Sequence, residues 1–463
     1  MKQEETVQRR APEVLADALR KFLDRDAHAN ISKLLGRVRP EDVALVLSDL
    51  PLERQLKVFE ILTADYPDAA GEVLTGLEAA QRLALLESLP PEQTAAILSR
   101  IPVDDAVFVV ESLPRDLHDR VLELVDVKEL ADVQTQLGYR AGSAGRLMDT
   151  EFFALAENAT VRAAIAALQE KRDVEMVFYL YVVDRDAHLV GVTSLRQLLL
   201  SKPDQTLGEI MQRSVIKVNV ATDQEEVAGL AARYDLLAIP VVDDANHLAG
   251  IVTVDDIIDV VREEAAEDLM KMAGSSESEL LYPERVWQVA RHRLPAVLVS
   301  LVGLVVTGLL LESFQVKLTE ALFLLAFVPL IMGMGGSIGG QASTVAVRGV
   351  ASGELGPGSG RFFEFLGQQA RVAALLGLAC ALVAGAVAAV LERNLYYGLV
   401  VGVALFLAMV FAAVSGSTMP LLFRKLGVDP AVASGPLLAT INDITGILIY
   451  FGLALALVRH LVG

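Results

Sequence analysis

One cysteine occurs in 463 residues, Cys380, and it lies in an apolar stretch, which excludes a disulfide framework and a thiolate metal cluster and leaves packing as its role. No His-Glu-x-x-His phrase is present, and the six histidines (28, 118, 188, 247, 292 and 460) fall outside the long apolar stretches, so nothing points to a metallohydrolase. The first residues, Met1-Lys2-Gln3-Glu4-Glu5, lack the apolar segment of a secretory signal, and the chain is expected to start in the cytoplasm. Positive charge is scarce in the first part of the chain. Residues 1–290 carry a formal charge of about −22 and residues 291–463 about +3. So acidic a segment argues against nucleic acid as a partner and leaves metal cations or simple solubility as the reason for the charge.

Long apolar runs are what the second part has in quantity. Five stretches, roughly 294–311, 321–347, 372–391, 397–423 and 434–458, approach or exceed the length of about 20 residues that a membrane helix needs. The last four contain many Gly, Ala and Ser residues, which permit close helix contacts. In the connections, Arg291, Arg293, Arg348, Arg361, Arg371, Arg424 and Lys425 fall on one side, and Lys317, Arg393 and Arg459 on the other. The excess of positive charge assigns the first side to the cytoplasm, with the N-terminal half inside and the C-terminus outside. Trp287 and Tyr282 are expected near the membrane surface.

Acidic side chains are nearly absent from these stretches, and Asp443 is the exception. A carboxylate near mid-bilayer costs roughly 2.5 kcal/mol or more, so it is expected to face a wet path and bind a cation there. The run Gly333-Met334-Gly335-Gly336-Ser337-Ile338-Gly339-Gly340-Gln341 reads as a break in the second helix whose freed carbonyls line a water-filled cavity, with close helix packing as the alternative. Pro329, Pro420 and Pro436 suggest further kinks near helix ends. Gln341 and Asn442 are assigned equally to the pore or to neighbouring backbone. Five helices make a thin bundle, and an odd number cannot form two matched inverted halves, so a homodimer of ten helices is expected.

The soluble part contains two repeats. Phrases ending in Pro51, Pro90, Pro102 and Pro114 close one helix and open the next, and the 12-residue steps between the last three describe short stacked helices. Then Tyr181-Val182-Val183-Asp184 and Leu189-Val190-Gly191-Val192-Thr193-Ser194 recur 59 residues later as Pro240-Val241-Val242-Asp243 and Leu248-Ala249-Gly250-Ile251-Val252-Thr253. Each copy reads strand, turn, strand, helix, preceded by Met148 or Met211 and an amphipathic helix. This resembles a tandem pair of cystathionine-β-synthase-type (CBS) domains. Some members of that class bind adenine nucleotides through a Thr-x-x-Asp phrase, which makes Thr253 and Asp256 candidate ATP contacts, whereas Ser194-Leu195-Arg196-Gln197 lacks the Asp.

The next helix bears Asp255, Asp256, Asp259, Glu263, Glu264, Glu267 and Asp268. Positions 256, 259, 263 and 267 share one face, where like charges cost a few tenths of a kcal/mol per pair. A hard divalent cation such as Mg²⁺ would neutralise them, and a solvated surface face is the alternative.

These parts in this order resemble the MgtE family of magnesium channels and transporters. The sharpest matches are Gly427-Val428-Asp429-Pro430-Ala431-Val432-Ala433-Ser434 and Asn442-Asp443-Ile444-Thr445-Gly446. The resemblance implies a multi-pass homodimer of the cell inner membrane, with a central pore where Asp443 holds hydrated Mg²⁺ and Asp429 is a second conducting or gating acid near the cytoplasmic mouth. It also implies regulatory Mg²⁺ at Asp223, Glu225, Asp235, Asp256, Asp259, Glu263, Glu264, Glu267 and Asp268, closing the pore when cytosolic Mg²⁺ is plentiful. Ser337 and Gly435 stand where the family commonly has Asn, which leaves the choice among Mg²⁺, Mn²⁺, Co²⁺ and Ca²⁺ open.

The expected architecture is multidomain. An all-α superhelical acidic domain (1–137) precedes α/β tandem CBS domains (138–262), a connecting plug helix (263–290) and an α-helical pore domain of five transmembrane helices (291–463). Divalent import, not enzymatic chemistry, is the expected function. An intramembrane aspartyl hydrolase needs two carboxylates where one chain offers one. A CBS-regulated carrier for an anion or organic solute would need an intramembrane Arg or Lys, and an anchor for a cytosolic sensor would leave Asp443 without purpose.

Overall fold

The proline phrases do mark helix starts. Pro51, Pro90, Pro102 and Pro114 sit immediately before the helices Leu52–Asp65, Pro91–Leu98, Val103–Glu111 and Arg115–Leu122. Pro40 and Pro67 are the first residues of Pro40–Ser48 and Pro67–Thr75, where a missing N–H costs nothing. The buried faces of these short helices, with Leu47, Phe59, Leu74, Leu86 and Val110 fully enclosed, join in one continuous core. The computed structural model describes residues 14–125, 133–170, 178–275, 279, 286–315, 319–351, 355 and 361–461. Tyr282, Lys317 and most of the connector after Ser275 lie outside them.

Residues Met1–Val261 form one compact unit and Arg262–Gly463 another. In the first, the 59-residue repeat builds two matching three-stranded sheets. Strands β1 (Ala154–Ala156), β2 (Tyr179–Val183) and β3 (Leu189–Ser194) pair in that order, as do β4 (Val218–Asn219), β5 (Ala238–Val242) and β6 (Leu248–Thr253). The outer strand of each is parallel and the hairpin antiparallel, with a register shift at Val182/Val183 and again at Val241/Val242. The hairpin turns match to the residue: Ala187 and Asn246 both adopt positive φ. His188 and His247 stack with ring centroids 4.6 Å apart, each held through Nδ1 by its own Asp184 or Asp243 carboxylate. The two copies also exchange methionines. Met211 packs on Gly191 and Met148 on Gly250, so closely that a Cβ at either glycine would collide with the side chain.

In the second unit, five helices are long and apolar enough to cross a membrane: Val286–Gln315, Val328–Ala351, Phe362–Leu391, Leu395–Lys425 and Pro436–Leu461. The fourth packs against the second, third and fifth, and the first packs on the fifth. Trp287 is exposed in the opening turn of the first helix, and Cys380 is a partly buried packing residue of the third.

The expected break in the second helix is not there. Val328–Ala351 is one uninterrupted helix through the whole glycine run, so no carbonyls are freed between Gly335 and Gly340. The physical reason is contact: Gly335 and Gly339 are buried, and a Cβ on Gly339 would meet the Asn442 side chain and lie 3.2 Å from the Ala412 carbonyl. Gly416 on the fourth helix approaches so closely that its Cβ would clash with the Gly339 carbonyl. Small residues here let backbones approach, which offsets the roughly 1 kcal/mol that glycine costs a helix. Gly333, Gly336 and Gly340 face open space instead. Gly416→Val is therefore expected to destabilise the membrane unit by about 1–3 kcal/mol or more through overpacking against backbone, while Gly336→Ala is neutral. Thermal unfolding of the detergent-solubilised protein checks this, and equal melting of the two variants contradicts it.

Candidate functional site

Asp443 lies in the third turn of the fifth membrane helix, about 10–12 Å from its start at 1.5 Å per residue. Its carboxylate is half-buried and makes no side-chain hydrogen bond among the described residues. The neighbouring Asn442 is buried and turned the other way, into the helix packing. Its Oδ1 accepts from Ser415 Oγ at 2.7 Å and its amide lies against Gly339. Asn442 thus belongs with the packing residues, and Gln341 is exposed beside Gln369 in a cleft of about 200 Å³.

Asp429 ends the loop before the short 3-10 helix Pro430–Ser434 and caps it, with Oδ1 accepting from Ala431 N at 2.8 Å. Its other oxygen, Oδ2, accepts from Lys271 Nζ at 2.6 Å, and Glu267 Oε1 lies 2.6 Å from the same nitrogen. Burial alone would lower the Lys271 ammonium, but these two carboxylates more than offset it and hold it above its ordinary value. Burial first, and Asp429 next, push Asp268 up to about 6. A Cβ on Gly435 would come within 2.8 Å of the Met272 carbonyl, so the connecting helix Val254–Met272 abuts the start of the fifth membrane helix too tightly for Asn at that position.

The other expected metal ligands are more scattered. Asp223 and Asp235 occupy opposite ends of the helix Gln224–Tyr234, roughly 18 Å apart by helical rise. Asp223 caps that helix by accepting from Glu225 N at 3.1 Å, and Asp235 ends it with left-handed backbone. Asp223, Glu225, Asp235, Asp259 and Glu263 are exposed, and Glu264 and Glu267 partly so. Among the described residues, the one group offering three converging ligand atoms is Asp184, Asp186 and His188, an exposed turn already tied by backbone N–H bonds to Asp184. Within one chain the expected acids form no comparable three-ligand group among the described residues.

Asp256 is different. Its Oδ2 accepts from Thr253 Oγ1 at 2.7 Å, and it faces a set of acids on the preceding domain. Burial pushes Asp256 up to about 7 despite the Thr253 hydrogen bond, with Asp255 and Asp105 adding to the rise. Burial and then Asp256, Asp105 and Asp149 raise Asp104 well above the ordinary carboxylate range, and its Oδ1 is buried without a hydrogen-bond partner among the described residues. Nothing in the sequence sets Asp104 and Asp105 apart, because paired acids in the first turn of a helix are ordinary dipole complements.

A pH dependence follows. Both raised carboxyls favour folding when protonated, so their contribution is full below about 4, the unfolded value, and is lost as pH rises, for Asp256 through about 7. In chelator, the protein is expected to melt several degrees lower at pH 8 than at pH 5.5, and Mg²⁺ is expected to remove that difference. Asp184 and Asp243, lowered by their histidines, titrate below this window. A melting temperature in chelator that is flat or rising over the same range counts against the assignment.

Known proteins supply the remaining comparison. Residues 328–453 match the family model for a divalent cation transporter, 38–142 the MgtE intracellular N domain, and 144–203 and 207–263 the CBS domain. The chain is 34% identical over 431 residues to the magnesium transporter MgtE of Bacillus subtilis, spanning 92% of this chain and 94% of that one. It is 35% identical over 459 residues to the magnesium transporter MgtE of Thermus thermophilus, spanning 96% and 98%. The crystal structure of the cytosolic domain of the Mg²⁺ channel MgtE in complex with ATP aligns with a TM-score of 0.50 at 34% identity, covering 53% of this chain and 99% of that one. With five candidate membrane helices, tandem CBS sheets and relatives matched along nearly their full length, the chain belongs to the MgtE family of magnesium transporters.

Proposed function

We propose that two copies of this chain form a pore in the cell inner membrane that imports Mg²⁺, with Asp443 of each holding the ion through its hydration shell. The observation that carries this reading is a half-buried carboxylate that makes no side-chain hydrogen bond among the described residues, in a membrane-length helix, inside the segment matched to a divalent cation transporter. Mg²⁺ dehydrates reluctantly, so a carboxylate that accepts hydrogen bonds from bound water suits it better than a tight all-protein cage. The N-terminal half lies in the cytoplasm, and an inward-negative potential of 100 mV assists entry by about 2.3 kcal/mol per charge.

Closure is feedback by the transported ion. At high cytosolic Mg²⁺, ions bridge Asp104, Asp256 and the acids of the connecting helix, the soluble domains compact, and the pore shuts. At low Mg²⁺, repulsion among the same groups favours the open state. The nucleotide in the related cytosolic domain makes Thr253 and Asp256 the candidate ATP contacts here. Exposed Ser337, in place of the family's Asn, leaves Mn²⁺ and Co²⁺ as competing cargo.

Proteoliposomes test this directly. Purified protein is expected to pass Mg²⁺ inward under a potassium-diffusion potential, with flux suppressed when millimolar Mg²⁺ bathes the cytoplasmic face. Parallel fluxes of Mn²⁺, Co²⁺ and Ca²⁺ rank selectivity. No divalent flux at any Mg²⁺ concentration removes the reading.

A further inference from the structure

Lys271 stands in the last turn of the connecting helix Val254–Met272, one of two bases, with Arg262, in a helix that carries seven acids. Its ammonium reaches Glu267, one turn back on the same helix, and Asp429, 158 residues onward, at 2.6 Å each. Two oxygens of different chain segments thus converge on one cation. Asp429 Oδ1 is fixed by Ala431 N, which aims Oδ2 at the lysine. The three side chains retain 28%, 33% and 42% exposure for Lys271, Asp429 and Glu267, so a hydrated ion can reach them from water. The neighbouring Asp268 adds a further negative charge.

We propose that Lys271 is a built-in counter-ion of this acidic site: it takes the place of a divalent cation between Glu267 and Asp429, so that metal binding there is an exchange that must displace it. This rests on the reading given above of Glu267 as a regulatory acid and of Asp429 as a conducting or gating acid near the cytoplasmic mouth. The lysine thereby sets the Mg²⁺ threshold. A site already neutralised by one tethered charge takes a second cation only when the bulk concentration is high enough to win. It also keeps the end of the connecting helix joined to the Asp429 loop when metal is scarce.

Zero-length carbodiimide coupling of the full-length protein in detergent tests the exchange. In chelator, an amide between the Lys271 amine and the Asp429 carboxyl is expected in the digested peptides, its yield falling several-fold in millimolar Mg²⁺ but not in NaCl of equal ionic strength. Lys271→Met is expected to lower the Mg²⁺ concentration for half-maximal protease protection of the connecting helix by about fivefold, while Lys271→Arg stays near wild type. No coupling in chelator, coupling indifferent to Mg²⁺, or an unshifted threshold in Lys271→Met overturns the proposal. Absent flux in proteoliposomes removes the conduction reading without touching the cross-link, whereas normal flux with an Mg²⁺-indifferent cross-link removes the exchange alone.

Discussion

Asp443→Ala is expected to reduce divalent uptake to the level of empty vesicles, with Asp443→Asn close behind it and Asp443→Glu retaining part of the flux. A carboxylate about 5 Å from a divalent ion, across a hydration shell, attracts it by roughly 6 kcal/mol at an effective dielectric of about 20. If desolvation leaves only a third of that, occupancy still falls about 30-fold, and the proposed dimer would lose two such charges at once. The substitution is otherwise benign, because Asp443 makes no hydrogen bond among the described residues that its removal would orphan. A folding defect is excluded by unchanged thermal melting of the variant. Uptake within about twofold of wild type from a properly folded Asp443→Ala protein places the ion elsewhere and ends the pore assignment.

Much of the architecture was readable before any coordinates. The five spans follow from length and apolarity, the helix starts from proline, and the CBS pair from a 59-residue repeat whose bulges and turn residues recur in register. What failed was the glycine run. Glycine in a membrane helix permits both a break and a close contact, and its composition is the same in either case. The outcome depends on what faces it. Here Asn442, Ala412 and Gly416 face it, contributed by two helices distant in sequence. The same limit hid Asp104, which looks like a helix-start residue until the fold sets it against Asp256. Lys271 is one of two bases in an acidic helix, and nothing in the sequence pairs it with Asp429, which the fold brings to it. Asp223 and Asp235 show the converse, since each has a local capping role that would place an acid there without any metal.

The combined substitution Asp256→Asn, Asp259→Asn and Glu264→Gln is expected to give a protein whose uptake continues when the cytoplasmic face is held at millimolar Mg²⁺. Two opposing effects have to be weighed. Neutral amides remove repulsion, which by itself favours the compact, closed arrangement; they also remove the charge that holds the bridging ions. A site tenfold above its dissociation constant contributes about 1.4 kcal/mol to the state that binds, and in the proposed closure several sites act together in each chain. The repulsion they relieve is smaller in physiological salt, because Asp259 is exposed and Glu264 partly so, and such charges are screened within about 8 Å. Asp256 is the exception, largely shielded from solvent and facing Asp104, so Asp256→Asn alone is expected to raise stability in chelator while weakening the Mg²⁺ response. Loss of bridging therefore outweighs loss of repulsion in the triple variant. A triple variant that is shut at every Mg²⁺ concentration shows repulsion to be the controlling force, and one inhibited like wild type shows that these acids take no part in closure.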